Sequence, residues 1–297
     1  MPNKDLSSLI PSAMASFYIP LILSLAIAVY GYFEAKDVHT EKIEIKTSKL
    51  PQGIDRLRIV QISDVHIGLI VREERLWRVL DEVKRAKPDI LVSTGDLVDG
   101  QINGLIGLAD MIKSINPLYG KFAITGNHEF YAGIEHAMAF TRKSGFVVLR
   151  GEGITVNGLI NIAGVDDPAG KPFGVYKEVS EKTLLSKFPK DRFTLLLKHR
   201  PVVDKDSIGL FDLQLSGHTH KGHLFPFTLF TRLTYIIDAG YLALGHNSEL
   251  YVNRGAGTWG PPMRFMAPPE ITVIDLIRVD GKNRGSSPFR SMLPLLS

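Results

Sequence analysis

The chain has 297 residues, 44% of them hydrophobic, with a formal net charge of +4 and no cysteine. This length can bury one sizeable core, and the absence of cysteine excludes disulfides and thiolate metal sites. The modest charge is not gathered into a lysine or arginine block, so no nucleic-acid partner is expected.

Residues 1–35 are predicted to form a membrane anchor. No charged side chain occurs from Leu6 to Phe33. A helix from Leu9 to Phe33 would reach roughly 37 Å, enough to cross a hydrocarbon core of about 30 Å. Aromatic residues that favour the membrane interface lie near both ends of the segment: Tyr18, Tyr30 and Tyr32.

A cleaved signal peptide is the alternative to a retained anchor, because Ala26-Ile27-Ala28 resembles a cleavage site. The long uncharged stretch before Phe17 and the apolar residues after Ala28 favour the anchor. Only Lys4 precedes the span, whereas four lysines follow it before residue 50. The positive-inside tendency therefore favours a single-pass protein of the cell membrane with the part of the chain after the span in the cytoplasm.

The remaining chain divides into a linker and first strand (36–56), one large domain (57–280) and a C-terminal tail (281–297). Helices with apolar periodicity are predicted at Arg72–Lys87, Leu105–Ile115 and Gly133–Ser144, alternating with strands as in a layered α/β domain. Asn157-Gly158 predicts a hairpin. Strands are predicted at Lys42–Lys46, Phe146–Leu149, Ile154–Val156, Leu159–Ala163, Thr194–Lys198, Leu213–Ser216, Tyr235–Asp238, Leu250–Asn253 and Ile271–Leu276.

Five strand-like apolar runs end on residues typical of metal ligands. One such ending would most often be an ordinary polar residue at a strand end, but five repeat the same arrangement. Polar groups at the carboxyl ends of strands gather in one crevice, and oxygen and nitrogen donors suit manganese, iron or zinc. Two ions about 3.5–4 Å apart can activate water and bind a phosphate. The residues are Asp64, His66, Asp96, Asn127, His128, His199, His218 and His220.

In order, the motifs are Asp-x-His, Gly-Asp-x-x-Asp, Gly-Asn-His-Glu, His and Gly-His-x-His. This set resembles that of the calcineurin-like metallophosphoesterase superfamily, from Leu57 to about Ile277. The resemblance implies a four-layer α-β-β-α sandwich that hydrolyses phosphate or pyrophosphate esters with two divalent metal ions. It implies that one ion is held by Asp64, His66, Asp96 and His220. The second would be held by Asp96, Asn127, His199 and His218, with Asp96 bridging.

The resemblance also implies catalytic roles outside the ligand set. His128 matches the position that protonates the leaving group or steadies the transferred phosphoryl. Asp99 would hydrogen-bond an imidazole, taken here as that of His128, to fix its tautomer. The alternative is that Asp99 only forms a turn before Gly100. Glu129 is expected to cap the following helix.

Two loops are candidates for substrate recognition. Gly222–Leu233 is rich in Phe and Leu, and both core packing and an apolar lip near the metals or the bilayer remain open. Arg254–Pro269 contains Arg254 and Arg264, either of which could bind a phosphate bidentately. The alternative for both arginines is a surface ion pair.

The anchored layout is similar to that of bacterial membrane-associated phosphoesterases, some of which cleave UDP-2,3-diacylglucosamine. This chain has Lys221-Gly222-His223 where those proteins usually have Gly-Gly-Gln. The expectation is a membrane-anchored phosphohydrolase whose substrate is a phosphate ester, with a lipid-linked ester as one candidate. The alternatives are a non-catalytic metal-binding scaffold of the same fold and a nuclease or other phosphodiesterase of a soluble substrate.

Overall fold

A computed structural model describes residues 12–100 and 107–280. The predicted tail 281–297, the first 11 residues of the anchor and the start of the helix predicted from Leu105 lie outside these ranges. The helices are α1 (Ala13–Glu34), α2 (Glu73–Ala86), α3 (Leu108–Lys113), α4 (Asn127–Tyr131), α5 (Ile134–Lys143), α6 (Glu181–Leu185) and α7 (Thr228–Thr234).

The strands of the described residues form two six-stranded mixed sheets. The first sheet has the order β1 (His39–Thr47), β12 (Glu270–Arg278), β2 (Arg56–Ile62), β3 (Ile90–Ser93), β4 (Lys121–Ala123) and β5 (Val147–Val148). The second has the order β10 (Gly240–Gly245), β11 (Ser248–Val252), β9 (Leu213–Ser216), β8 (Phe193–Leu197), β7 (Ile160–Gly164) and β6 (Glu152–Val156).

Period-two alternation of apolar residues along the strands creates two buried faces on the first sheet. On β2, Val60 and Ile62 belong to the core beneath α2, α3 and α5, whereas Leu57 and Ile59 belong to the core between the two sheets. The outer face of the second sheet is covered by α6. The predicted four-layer α-β-β-α sandwich is confirmed.

Two local predictions have different outcomes. The hairpin at Asn157-Gly158 is confirmed, since β6 and β7 pair in antiparallel fashion around it. The strand predicted at Tyr235–Asp238 is wrong. The carbonyl of Asp238 accepts a hydrogen bond from Thr219 Oγ1 at 2.6 Å, and the β10–β11 pairing begins only at Gly240. The loop that carries the Gly-His-x-His motif therefore holds this segment outside the sheet.

α1 is a helix of 22 residues, about 33 Å long at 1.5 Å per residue. It is long and apolar enough to cross a membrane, and it is the only such helix in the part of the chain that the structure describes. Ser12 caps its first turn, and Pro20 lies inside it. Gly31 is the one buried residue of the helix.

Strand order brings the end of α1 to the edge of the domain where β2 ends. β1 runs parallel to β12, and β12 runs antiparallel to β2, so the first residue of β1 lies level with the last residues of β2. The strand that the sequence predicts after the linker is β1, which forms an edge strand of the first sheet. The end of α1 is fastened there, since the backbone N–H of Arg264 donates to the carbonyl of Gly31 at 2.9 Å.

Candidate metal centre

All the metal-ligand candidates lie just after strand ends, on one edge of the sandwich. Asp64 and His66 follow β2, Asp96 follows β3, Asn127 begins α4 after β4, His199 follows β8, and His218 and His220 follow β9. Five of these residues adopt left-handed backbone conformations, which cost energy for residues other than glycine and are concentrated at functional sites. They are Asp64, His66, Asp96, His218 and His220, with φ between 49° and 72°.

The first group of donors is formed by Asp64, His66 and His220. The Nε2 atom of His220 lies 3.1 Å from Nε2 of His66 and 3.4 Å from Oδ1 of Asp64. All three side chains are buried. Two ring nitrogens and a carboxylate oxygen therefore face a common point away from solvent, as the ligands of one cation do.

The second group is centred on His199, whose Nδ1 donates to the carbonyl of Thr94 at 2.8 Å. This leaves Nε2 to face the centre, where it can carry a proton or bind a metal ion. That atom faces three further acceptors: Oδ1 of Asn127 at 3.2 Å, Nδ1 of His218 at 3.1 Å and Oδ2 of Asp96 at 3.3 Å. Burial opposes the charged ring, but Asp96 outweighs it and raises the pKa of His199 to about 10. This cluster of acceptors attracts a cation and fits a metal ion.

The carboxylate of Asp96 lies close to both groups of donors. Its Oδ2 lies 3.8 Å from Nε2 of His66 as well as 3.3 Å from Nε2 of His199. Burial alone would raise the pKa of Asp96, but the charge of His199 and its hydrogen bond lower it, so the group is an anion. A Cβ atom on Gly126 would overlap this carboxylate, which explains the glycine of the Gly-Asn-His-Glu motif.

His128 and Asp99 form a pair beside the donor groups. Nδ1 of His128 donates to Oδ1 of Asp99 at 2.8 Å, and the same oxygen accepts from the backbone N–H of Gly100 at 2.7 Å. Both interpretations of Asp99, imidazole partner and turn residue, are therefore present together. Burial opposes protonation of His128, but the hydrogen bond to Asp99 and the negative charges of Asp96, Asp99 and Glu129 together raise the pKa of His128. The ring is only partly buried and remains open to the cleft.

Glu129 joins two loops of the centre. Its carboxylate accepts from the backbone N–H of Gly126 at 2.6 Å, of Asp96 at 2.9 Å and of Leu97 at 2.8 Å. The first of these contacts caps α4, as the sequence predicts. Burial and the charge of Asp96 raise the pKa of Glu129 to about 7. The hydrogen bonds between Glu129 and the loop after β3 were not predicted from the sequence, because no pattern near the motif indicates them.

Arg264 and Arg254 do not present free donors to the cleft, which corrects the expectation that they bind substrate. Arg264 has no exposed surface. Its guanidinium donates to backbone carbonyls of its own loop and, from Nη2, to Nδ1 of His220 at 2.9 Å. Arg254 pairs with Glu41 at 2.6 Å and Glu270 at 2.7 Å. Both cations hold the loop 254–269 against the domain.

Arg200 and Tyr235 were missed by the sequence analysis although they border the cleft. Arg200 directly follows His199, is partly exposed, and pairs with Asp167 at 2.7 Å. The ring of Tyr235 packs edge-on against His218, with ring centroids 5.9 Å apart. Position next to a ligand in the chain was the signal available for Arg200. Tyr235 had no such signal, because it was assigned to a strand.

The apolar residues after the Gly-His-x-His motif are exposed. Phe225, Phe227, Leu229 and Phe230 all have about half or more of their surface open to solvent. The alternative that they pack into the core is therefore wrong, and they form an apolar surface beside the metal centre.

Two packed mixed sheets with convergent carboxylates, imidazoles and an amide at one edge define a metal-dependent hydrolase of the layered α/β class. Residues 57–222 match the family model for calcineurin-like phosphoesterases. The chain is 41% identical over 258 residues to an uncharacterized metallophosphoesterase of Aquifex aeolicus, covering 86% of this chain and 98% of that protein. The chain belongs to the calcineurin-like phosphoesterase family and is a metal-dependent phosphoester hydrolase.

Two further comparisons describe the wider relationship. The chain is 31% identical over 274 residues to a Danio rerio transmembrane protein with metallophosphoesterase domain, covering 87% of this chain and 62% of that protein. Among solved structures, a putative 5'-nucleotidase of Staphylococcus aureus matches with a TM-score of 0.45 and 12% identity, over 78% of this chain and 56% of that one.

Proposed function

We propose that the protein is a membrane-anchored phosphohydrolase with two divalent metal ions. One observation carries the proposal: two groups of donors, buried except for the half-buried His218, approach the same carboxylate, that of Asp96. A carboxylate has two oxygens and can bridge two cations, which a histidine or an asparagine cannot do. The residue types favour manganese, iron or zinc.

The residues divide between the two ions as their geometry suggests. Asp64, His66, Asp96 and His220 would hold one ion. Asp96, Asn127, His199 and His218 would hold the other. When bound, the ions would supply an activated water and neutralise the charge of the phosphate oxygens. The neutral amide of Asn127 limits the negative charge that faces an anionic substrate.

His128 is assigned to the leaving group. Its raised pKa favours the protonated ring, and Nδ1 is held by Asp99, so Nε2 is the atom that can give a proton to a departing alkoxide. Asp99 orients the ring and stabilises its cationic form. Both side chains border the open part of the cleft, where a phosphate ester would have access.

We further propose that α1 is a retained anchor. Support comes from its length and exposed apolar surface, and from its last turn, which packs on the catalytic domain through Gly31. Cleavage after Ala28 would remove most of this helix. The excess of lysines after the span favours a cytoplasmic catalytic domain.

The substrate class follows from the position of the centre. An enzyme for a soluble phosphate gains little from an anchor, whereas a lipid-linked ester already lies at the membrane surface. The exposed rings of Phe227 and Phe230 would receive acyl chains, each buried methylene contributing about 0.8 kcal/mol. An amphipathic phosphate or pyrophosphate ester fits this surface, with UDP-2,3-diacylglucosamine as the named candidate.

The test compares substrates on metal-stripped full-length protein in detergent, resupplied with manganese, iron, zinc or magnesium. Monoesters, diesters and nucleotide-linked lipids are screened first. The value of kcat/KM is then measured for one headgroup with short and long acyl chains, in the parent protein and in Phe227→Ser and Phe230→Ser. We expect the long chain to be preferred by the parent and the preference to shrink in both variants. Equal kcat/KM for both chain lengths in the parent would refute the lipid-linked substrate.

A further inference from the structure

Six exposed apolar side chains lie between residues 225 and 236, shortly after the Gly-His-x-His motif, and are named here the α7 surface. Three of its members show how open it is: Leu233 is 85% exposed, Ile236 is 72% exposed and Phe230 is 62% exposed. Scattered apolar residues are normal on protein surfaces, but a concentration of large apolar side chains, with the ring centroids of Phe227 and Phe230 6.1 Å apart, marks an interaction site. The α7 surface consists of Phe225, Phe227, Leu229, Phe230, Leu233 and Ile236.

The α7 surface is joined to the last turn of α1 through one short segment of chain. The backbone N–H of Phe225 donates to the carbonyl of Phe265 at 3.2 Å. The ring of Phe265 in turn packs edge-on against Tyr30 of α1, with ring centroids 5.7 Å apart. Arg264, the preceding residue, is bonded to Gly31. The surface therefore lies beside the part of α1 where aromatic residues give way to charged ones.

The chemistry of the segment suits a lipid surface. No aspartate or glutamate occurs from Lys221 to Ile237, whereas lysine, arginine and histidine do. The next acidic residue in the chain, Asp238, is buried, and its Oδ2 lies 3.3 Å from Nε of Arg232. Exposed apolar side chains beside an exposed arginine, Arg232, are typical of elements that lie in the headgroup region of a bilayer.

We propose that the α7 surface is a second membrane contact, inserted into the same leaflet in which α1 ends. The metal centre would then face the headgroups instead of open solvent, because both membrane elements are on the edge of the sandwich where the ligands lie. The inference rests on the proposed anchoring by α1. The new point is that the catalytic domain itself contacts the bilayer, independently of the identity of the substrate.

The test uses the absence of cysteine in the chain, which allows single labels without a background. Leu233→Cys and, as a second position, Ile236→Cys are labelled with an environment-sensitive fluorophore in the full-length protein. Each chain is placed alone in a nanodisc of phosphatidylethanolamine and phosphatidylglycerol. Quenching by spin-labelled lipid is compared with quenching by aqueous iodide.

Two control positions make the outcomes distinct. Leu118→Cys is also apolar and is 75% exposed, but it precedes β4 and so lies on the edge opposite the metal centre. Leu23→Cys reports on α1. We expect the labels at 233 and 236 to be quenched several-fold more by lipid than the label at 118, and less by iodide.

Two results would overturn the inference while leaving the anchor intact, both with the label at 23 quenched by lipid. In the first, the labels at 233 and 236 respond to iodide as the label at 118 does. In the second, they are shielded from both quenchers, which would indicate contact with protein. Absence of lipid quenching at 23 would instead refute the anchoring, and the inference with it.

Discussion

Nη2 of Arg264 donates to Nδ1 of His220 over 2.9 Å, and Arg264 has no exposed surface. A guanidinium has only donors, so Nδ1 of His220 must accept and the ring is held with Nε2 towards Asp64 and His66. The same arginine is bonded through its backbone to Gly31 in α1. Helix α1 and a candidate metal ligand are thus linked through one residue.

We expect Arg264→Lys to weaken metal binding, since lysine keeps the charge but loses the planar fork that fixes the imidazole. Loss of such an orienting contact typically lowers metal affinity by about 10–100-fold. Titration with a competing chelator measures this. Arg200→Lys is the matched control, because Arg200 pairs with Asp167 and makes no hydrogen bond to a candidate ligand. Equal affinities in both variants would contradict the orienting role.

Gly31→Leu should also disturb the metal centre, from a distance. A Cβ atom at this position would lie 2.8 Å from the carbonyl oxygen of Arg264, so the loop must shift. Ala26→Leu adds apolar bulk at an exposed position of the same helix and serves as the control. We expect a lower melting temperature and weaker metal binding only for Gly31→Leu. If the two variants behave alike, α1 packs on the domain without influencing it.

Asp96→Asn should abolish activity more completely than loss of any other ligand, because both ions would lose their shared carboxylate. The purified variant is expected to contain well under two ions per chain by elemental analysis. Asn127→Ala would remove a proposed ligand from one ion only and gives the comparison. Normal turnover with full metal content in Asp96→Asn would exclude bridging.

His128→Gln should retain the metal ions, yet lower kcat by the ~10²–10⁴ typical of lost general acid catalysis. The loss should be smaller for an aryl phosphate, whose leaving group needs little protonation. Asp99→Asn should show the same dependence on the leaving group with a smaller loss, since the ring itself remains. An equal loss for good and poor leaving groups would mean that His128 only positions the phosphate.

Glu129→Gln should lower the free energy of unfolding by about 1–3 kcal/mol, because one of the carboxylate oxygens that accept four backbone N–H groups becomes an NH2 donor. Denaturant titration of the metal-free protein in detergent isolates this effect from metal binding. Glu135→Gln changes an exposed glutamate in the first turn of α5 and should be neutral. Equal stabilities of the two variants would show that the cross-link contributes nothing.

The parts of this protein that could be predicted from sequence are those encoded locally. Most strands, and the polar side chains that converge at one edge of the sandwich, could be predicted because an apolar run and the polar residue at its end are neighbours in the chain. Arg264 was misassigned because its partner His220 is 44 residues away and no local pattern indicates it. Arg254 is separated from Glu41 by 213 residues. Burial of an arginine depends on tertiary contacts, which the composition of a loop does not reveal.

The pairing of β1 with β12 affects the concentration of metal ions to which the metal centre is exposed. It delivers the chain from α1 to the edge where the ligands lie, so the centre would sample ions at the membrane surface and not in bulk solution. At an anionic leaflet with a potential of about −30 mV, divalent cations are concentrated roughly tenfold. Metal loading of the anchored enzyme would then follow lipid charge and ionic strength, and a protein released from its bilayer would need more metal for the same occupancy.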